Sequence, residues 1–352
     1  EELRNSYFIP KNFAHGFVVL SDSAELLIKC TDFIIRMMKG GLAYNDPDIG
    51  VEWPIPKGME LILSDKDQKW ESFKEYTANR SKKGLKKETW LPGEIYKNRK
   101  LVFSLAKNDF KTKYAGSYFG TVWAFVQPIV TICVYWFVFG LALRNGSDKG
   151  VPFVLWLIAG LVPWFFIQEG LTGGTNALLE YNYLVKKVVF NIRILPVVKV
   201  FSAVFVHCFF VVIVLVIYTC MGYPPSLYAL QLVYYSFCIF MLILAVTYMT
   251  SAAVVFFRDL SQIINIMLQV GVWVTPIMWD FNDLGLGGLL ANILKLNPVF
   301  YIVQGYRDSL INKVAIWEHP VLTLYFWGFT LIVFVLGTRL FKKLQVHFAD
   351  VL

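Results

Sequence analysis

Residues 114–143 carry no charged side chain. That exceeds the roughly 20 apolar residues a helix needs to cross the hydrocarbon core of a bilayer. Further apolar runs follow at 151–168, 197–221, 228–257, 263–278 and 321–341, separated by short polar breaks. Backbone groups in lipid must be satisfied internally, so spanning runs of this kind are helical. The expectation is an all-α polytopic membrane protein with six transmembrane helices. A composition of 57% hydrophobic and 17% aromatic residues agrees with it. Most charges fall before Phe119, which sets apart an N-terminal segment.

The breaks and flanks carry the rest of the design. The stretch 101–114 (LVFSLAKNDFKTKY) is too short and too charged to span. Val102, Leu105, Ala106 and Phe110 fall at helical spacing with Lys107 and Lys111 off that stripe, which suggests an interfacial helix; a plain solvated helix is the alternative. The break 169–199 is long for a turn and has room for a helix with Glu180, Lys186, Lys187 and Arg193 on it. Leu178, Tyr181, Val185 and Val188 would pack inward, with Asn182 and Lys186 outward. Between the fifth and sixth runs, 286–296 and 298–311 are apolar but too short to cross. They read as a re-entrant helical hairpin hinged at Asn297-Pro298.

Lys and Arg collect on one side, in 97–113, in the 169–199 break, at Arg258 and at 339–343. That side is cytoplasmic by the positive-inside rule, with both termini and the break inside and the hairpin outside. The same rule accounts for the net charge of +8 without a nucleic-acid partner. The five cysteines form no C-x-x-C pair, and imply neither disulfide nor metal. The chain has no G-x-x-x-x-G-K-[ST] loop and no convincing Ser/His/Asp set, so the membrane part does not read as an enzyme. His207 stands alone in the third run and is either a buried hydrogen-bonding residue or a metal ligand. Phe119, Trp123 and Gln127 share one face, as do Gln262, Gln269 and Trp273. Such faces serve equally as a pathway wall for sugars or as helix–helix glue.

Two stretches resemble known families. YFIPKNFAHGFVVLSD (7–22), KCTD (29–32), YNDPDIGVEWP (44–54) and LSDKD (63–67) resemble the C-terminal part of dTDP-4-dehydrorhamnose 3,5-epimerase. The resemblance implies a small β-rich partial cupin over 1–76, followed by a basic linker at 77–100. His15 matches that family's substrate-contacting histidine as a vestigial sugar-nucleotide contact, while the family's catalytic histidine has no counterpart. After KCTD the expected aromatic residues give way to FIIRMMK (33–39), as a short frameshift would produce.

From residue 101 onward, KYAGSYFGTVWAFVQP (113–128), GLVPWFF (160–166), RILP (193–196), FFRDL (256–260), TPIMW (275–279), LNP (296–298) and GYRDSL (305–310) occur in order. The set resembles the permease subunit of type-2 ABC exporters of O-antigen, teichoic acid and related polysaccharides. The resemblance implies a homodimer in the bacterial plasma membrane and two copies of a separate P-loop ATPase that holds ATP and Mg. No cofactor is implied in this chain. The implied cargo is a polyprenyl-linked polysaccharide, and lipid surrounds the whole. Coupling to the ATPase would fall to Lys107, Lys111, Glu180, Asn182, Lys186, Lys187, Arg193, Arg258 and Asp259, with the 169–199 break as a coupling helix. Phe119, Trp123, Gln127, Gln262, Gln269 and Trp273 would line the path. Asn297, Pro298, Tyr306 and Arg307 would form the external gate. Export of a small lipid or drug, and a membrane-anchored epimerase-like or sugar-binding fusion, are the competing readings.

Overall fold

The computed structural model describes residues 19, 42–55, 61–64, 69–76, 91–113, 116–142, 150–185, 191–279 and 288–352. The chain divides into two compact units, Glu1–Thr89 and Trp90–Leu352.

In the first unit the turn sequence Asn45-Asp46-Pro47-Asp48 folds around one carboxylate. Asp46 Oδ1 accepts from the backbone N–H groups of Asp48 at 2.8 Å and Ile49 at 3.2 Å, and its Oδ2 accepts from Phe73 N at 2.7 Å. Asx turns of this kind compete with strand ladders for backbone donors. Trp53 Nε1 donates to the Tyr44 carbonyl at 2.7 Å, and Leu42 and Glu71 form an isolated parallel bridge. Among the described residues that bridge is the whole of the β-structure; most of 1–76, where a β-rich partial cupin is expected, lies outside them. His15 and the 33–39 patch lie outside the described residues.

The second unit is helical. It opens with α1 (Leu91–Lys97) and α2 (Arg99–Lys113), so the second half of the expected linker is a helix. Next come α3 (Trp123–Tyr135), which continues as a π-helical stretch Trp136–Ala142, and α4 (Phe153–Thr175). After the break come α5 (Leu195–Cys220), α6 (Gln231–Val254) and α7 (Leu260–Val274). The short α8 (Gly288–Lys295) and α9 (Pro298–Arg307) precede α10 (Pro320–Leu344). Pro196, Pro298 and Pro320 sit in first turns, where a missing N–H costs no hydrogen bond.

The core forms around α4, which packs against α5, α6, α7 and α9, while α6 pairs with α10. Leu155, Leu157, Leu161 and Phe166 of α4 are buried with Val198, Val200 and Phe210 of α5 and Ile239 and Ile243 of α6. By contrast α3 and its π-helical continuation show Trp123, Val130, Val134 and Phe137 on their surface.

Five helices among the described residues are long and apolar enough to cross a membrane, not six. The run 263–278 divides instead. Its helix α7 has 15 residues, rising about 22 Å against a hydrocarbon core of about 30 Å. It ends because Thr275 is extended, with φ −78° and ψ 133°. A residue before proline is pushed out of the helical region, and Pro276 has no N–H to carry the helix on.

The break also differs from a single helix. α4 runs through Glu169 as far as Thr175, two one-turn helices follow at Ala177–Glu180 and Asn182–Val185, and α5 already contains Lys199. Leu178, Leu184 and Val185 are buried, Tyr181 is half-buried and Asn182 is exposed; Lys186, Lys187 and Val188 lie outside the described residues.

The stripe on α2 is covered by protein. Val102, Ala106 and Asp109 are buried where α2 packs against α5, and Lys107 and Lys111 point away. The helices α8 and α9 meet at Leu296-Asn297, and the Asn297 side chain caps α9 by accepting from Val299 N at 3.0 Å. Phe300, Tyr301, Ile302, Val303 and Tyr306 bury α9 against α4, α6 and α10. Gly305 allows the approach, since a Cβ there would stand 2.1 Å from Tyr235 Cε1.

Candidate functional site

At the end of the bundle that carries Arg193 and Lys199, three segments distant in sequence meet around Asp109 of α2. Lys199 Nζ on α5 donates to Asp109 Oδ1 at 2.6 Å and also bonds Glu180 Oε2. Tyr181 O–H donates to the same Asp109 oxygen at 2.7 Å, and the Lys199 ammonium stands 5.1 Å from the centre of the Tyr181 ring. Only 9% of the side chain of Lys199 or Asp109 is exposed, against 52% for Glu180. Burial, together with the bond to the Asp109 carboxylate, raises the Tyr181 phenol above its ordinary pKa, so it remains a donor.

A second set of contacts ties the flanks of the break. Arg193 pairs with Glu94 of α1 at 3.6 Å, and its Nε donates to Gln345 Oε1 at 3.0 Å. Asn191 Nδ2 donates to Glu94 Oε2 at 3.1 Å, and Tyr248 O–H donates to the Arg193 carbonyl at 2.8 Å. Lys113, at the end of α2, pairs with Glu169 of α4. Ser261 Oγ of α7 donates to Asn176 Oδ1 at 2.6 Å, immediately before the one-turn helices.

The residues expected to face an ATPase therefore separate into two kinds. Lys107, Lys111, Asn182, Arg258 and Asp259 are exposed; Glu180, itself exposed, and Arg193 hold the break to its own chain. Asp109, Lys199, Tyr181 and Glu94 emerge from the geometry as the organising residues. One signal in the sequence pointed to them: Asp109 lies on the stripe of Val102 and Ala106, and a carboxylate on a packed face demands a cation.

The expected pathway residues Phe119, Trp123, Gln127, Gln262, Gln269 and Trp273 are all exposed. Three of them fall in two separate ring clusters. Phe119 and Trp123 meet edge to face with ring centres 5.7 Å apart, whereas Trp273 meets Tyr135 at the end of α3 and Phe139 in the π-helical stretch after it. Asn265, between Gln262 and Gln269, turns inward to accept from Thr172 Oγ1 at 3.3 Å.

Tyr306 and Arg307 are buried, and Asn297 is half-buried at the head of α9. Tyr306 O–H lies 2.9 Å from His207 Nε2 and 2.8 Å from Ser236 Oγ, and the His207 ring stacks on Phe166 at 4.5 Å. His207 is thus a hydrogen-bonded residue joining α5, α6 and α9.

Residues 100–311, more than half of the chain, match the family model described as ABC-2 type transporter. This chain belongs to the ABC-2 type transporter family. It is 26% identical over 260 residues to the O-antigen export system permease protein RfbA of Myxococcus xanthus, covering 73% of this chain and 97% of that protein. The protein of the same name from Klebsiella pneumoniae is 26% identical over 256 residues, covering 72% of this chain and 95% of its own length. The transporter is thus a multi-pass membrane protein, and its family implies a partner ABC ATPase. Its residues 1–75 match the family model of dTDP-4-dehydrorhamnose 3,5-epimerase. The epimerase of Methanothermobacter thermautotrophicus is 41% identical over 75 residues, which cover 21% of this chain and 40% of that enzyme.

Proposed function

We propose that this transporter is the permease subunit of an ATP-driven exporter that carries lipid-linked polysaccharide across the bacterial plasma membrane. The observation that carries the reading is the match to O-antigen export permeases along 95–97% of their own length. Two copies of the permease form the path, and two copies of a P-loop ATPase, holding ATP and Mg, dock beneath. The exposed faces of α3, the turn before it and α7 suit this arrangement: they supply stacking rings and amides at Phe119, Trp123, Gln127, Gln262, Gln269 and Trp273. In this reading α7 and the segment after it complete a sixth crossing. The hairpin of α8 and α9 enters from outside with Asn297, Pro298, Tyr306 and Arg307, and both termini lie in the cytoplasm.

ATP-driven closure of the ATPase pair pushes on Lys107, Lys111, Asn182, Arg258 and Asp259. The Asp109–Lys199–Glu180 ion group passes that displacement from the break to α2 and α5. The epimerase-like residues 1–75 favour a rhamnose-containing glycan as cargo. The test is an in-frame deletion of the gene in its source cell. Carrier-linked polymer is expected to accumulate on the cytoplasmic side and vanish from the surface. Unchanged surface polymer, with loss of efflux of a small lipid or drug instead, overturns the proposal.

A further inference from the structure

α7 is thinly packed, with Leu268 and Val272 its buried residues, which gives weight to the contacts at its two ends. At one end Ser261 and Asn265 reach Asn176 and Thr172 beside the break. At the other, the chain leaves the helix and runs through Thr275, Pro276, Ile277 and Met278, all buried. Buried carbonyls outside a helix need donors from elsewhere, and here they come from α9. Arg307, 4% exposed, donates from Nη1 to the Pro276 carbonyl at 2.7 Å and from Nη2 to the Ile277 carbonyl at 2.8 Å. Asn297, at the opposite end of α9, donates from Nδ2 to Thr275 Oγ1 at 2.9 Å. The guanidinium lies 3.5 Å over the Trp156 ring of α4. Gly160 leaves it room, since a Cβ there would stand 3.2 Å from both Arg307 Nη2 and Ile277 Cγ2.

We propose that Asn297 and Arg307 are positioning residues for export: a two-ended clasp that makes α9 and the end of α7 move as one body. α7 thereby becomes a strut. A displacement of the break at Asn176 is carried along it and delivered to the hairpin, and the glycan is not the ligand of Arg307. A planar guanidinium suits the task because it offers two parallel donors to two adjacent carbonyls, which a lysine cannot match. The inference rests on the export reading for its purpose but not for its geometry, and the test keeps the two apart.

Spin labels at Val270 on α7 and Ile293 on α8, both exposed, are introduced into the full chain after its native cysteines are replaced. The interlabel distance is then read in nanodiscs. The native chain should give one narrow distribution, and Arg307→Met should broaden or split it. In cells, surface glycan should fall at least about tenfold, the scale of either one of the two lost charge-assisted hydrogen bonds. Arg307→Lys should recover part of both. Asn297→Ala, which removes the neutral bond to Thr275 and the cap on Val299 N, gives a smaller broadening and keeps the test alive if Arg307→Met does not insert. An unchanged distribution in both Arg307→Met and Asn297→Ala overturns the clasp, as does Arg307→Lys behaving like Arg307→Met. Distances that respond as stated in a chain whose deletion leaves surface glycan intact support the clasp and overturn the export reading alone.

Discussion

Removing the ammonium of Lys199 while leaving Asp109 in place strands a carboxylate in a packed face. Breaking a buried ion pair from one side costs about 3–5 kcal/mol; here the carboxylate keeps the Tyr181 hydroxyl but has lost both water and its cation. Lys199→Met is therefore expected to lower the thermal midpoint of the detergent-solubilised protein sharply. Glu180→Gln should cost less than about 1 kcal/mol, because half of that side chain already meets solvent. Tyr181→Phe falls between them, at about 1.5–3 kcal/mol for one bond to a charged acceptor. The exchanged pair Asp109→Lys with Lys199→Asp should recover part of the loss. Thermal unfolding followed by fluorescence gives the ranking, and a Lys199→Met midpoint no lower than that of Glu180→Gln would refute the central place given to Lys199. The ranking follows exposure rather than bond length.

At the scale of elements, the break offers one face to its own bundle and another to whatever lies beyond it. Leu178, Leu184 and Val185 bury the first face; Asn182 and Tyr183 are exposed on the second. Substituting both exposed residues by Ala leaves the packed face intact. Insertion and thermal stability should hold, while export drops at least about tenfold if Tyr183 is an anchor for the ATPase. Export at the native level, measured as surface glycan, would move the docking site elsewhere. The inward placing of Leu178 and Val185, with Tyr181 half-buried, was legible because helical spacing is a local property. So were the long helices, since hydrocarbon thickness sets their length. The shortening of α7 was legible in principle at Thr275-Pro276, but averaging hydropathy over 263–278 hides a backbone rule that acts at one residue. What no spacing reveals is depth and partnership. Trp123 and Trp273 share the right kind of face yet meet different rings, and Lys199 finds Asp109 ninety positions away.

For the whole molecule, the two compact units pose the question of which part exports. The family match begins at residue 100, but the contacts that settle the second unit begin earlier, at Glu94, which takes Arg193 and Asn191. Two truncations separate these boundaries. A chain starting at Trp90 keeps α1 and every named contact of the second unit; a chain starting at Arg99 loses Glu94, and with it one carboxylate partner of Arg193. The side chains of that pair are 19% and 15% exposed, so losing it should cost about 1–3 kcal/mol, more than a surface pair would. The longer truncated chain is expected to insert, to unfold at the native temperature and to restore surface glycan in a deletion strain. The shorter one should insert with a lowered midpoint and restore less. If the chain starting at Trp90 unfolds like the full chain yet restores no glycan, the epimerase-like residues 1–75 are a working part of export, and the cargo is then to be sought among glycans that carry the sugar such a fold binds.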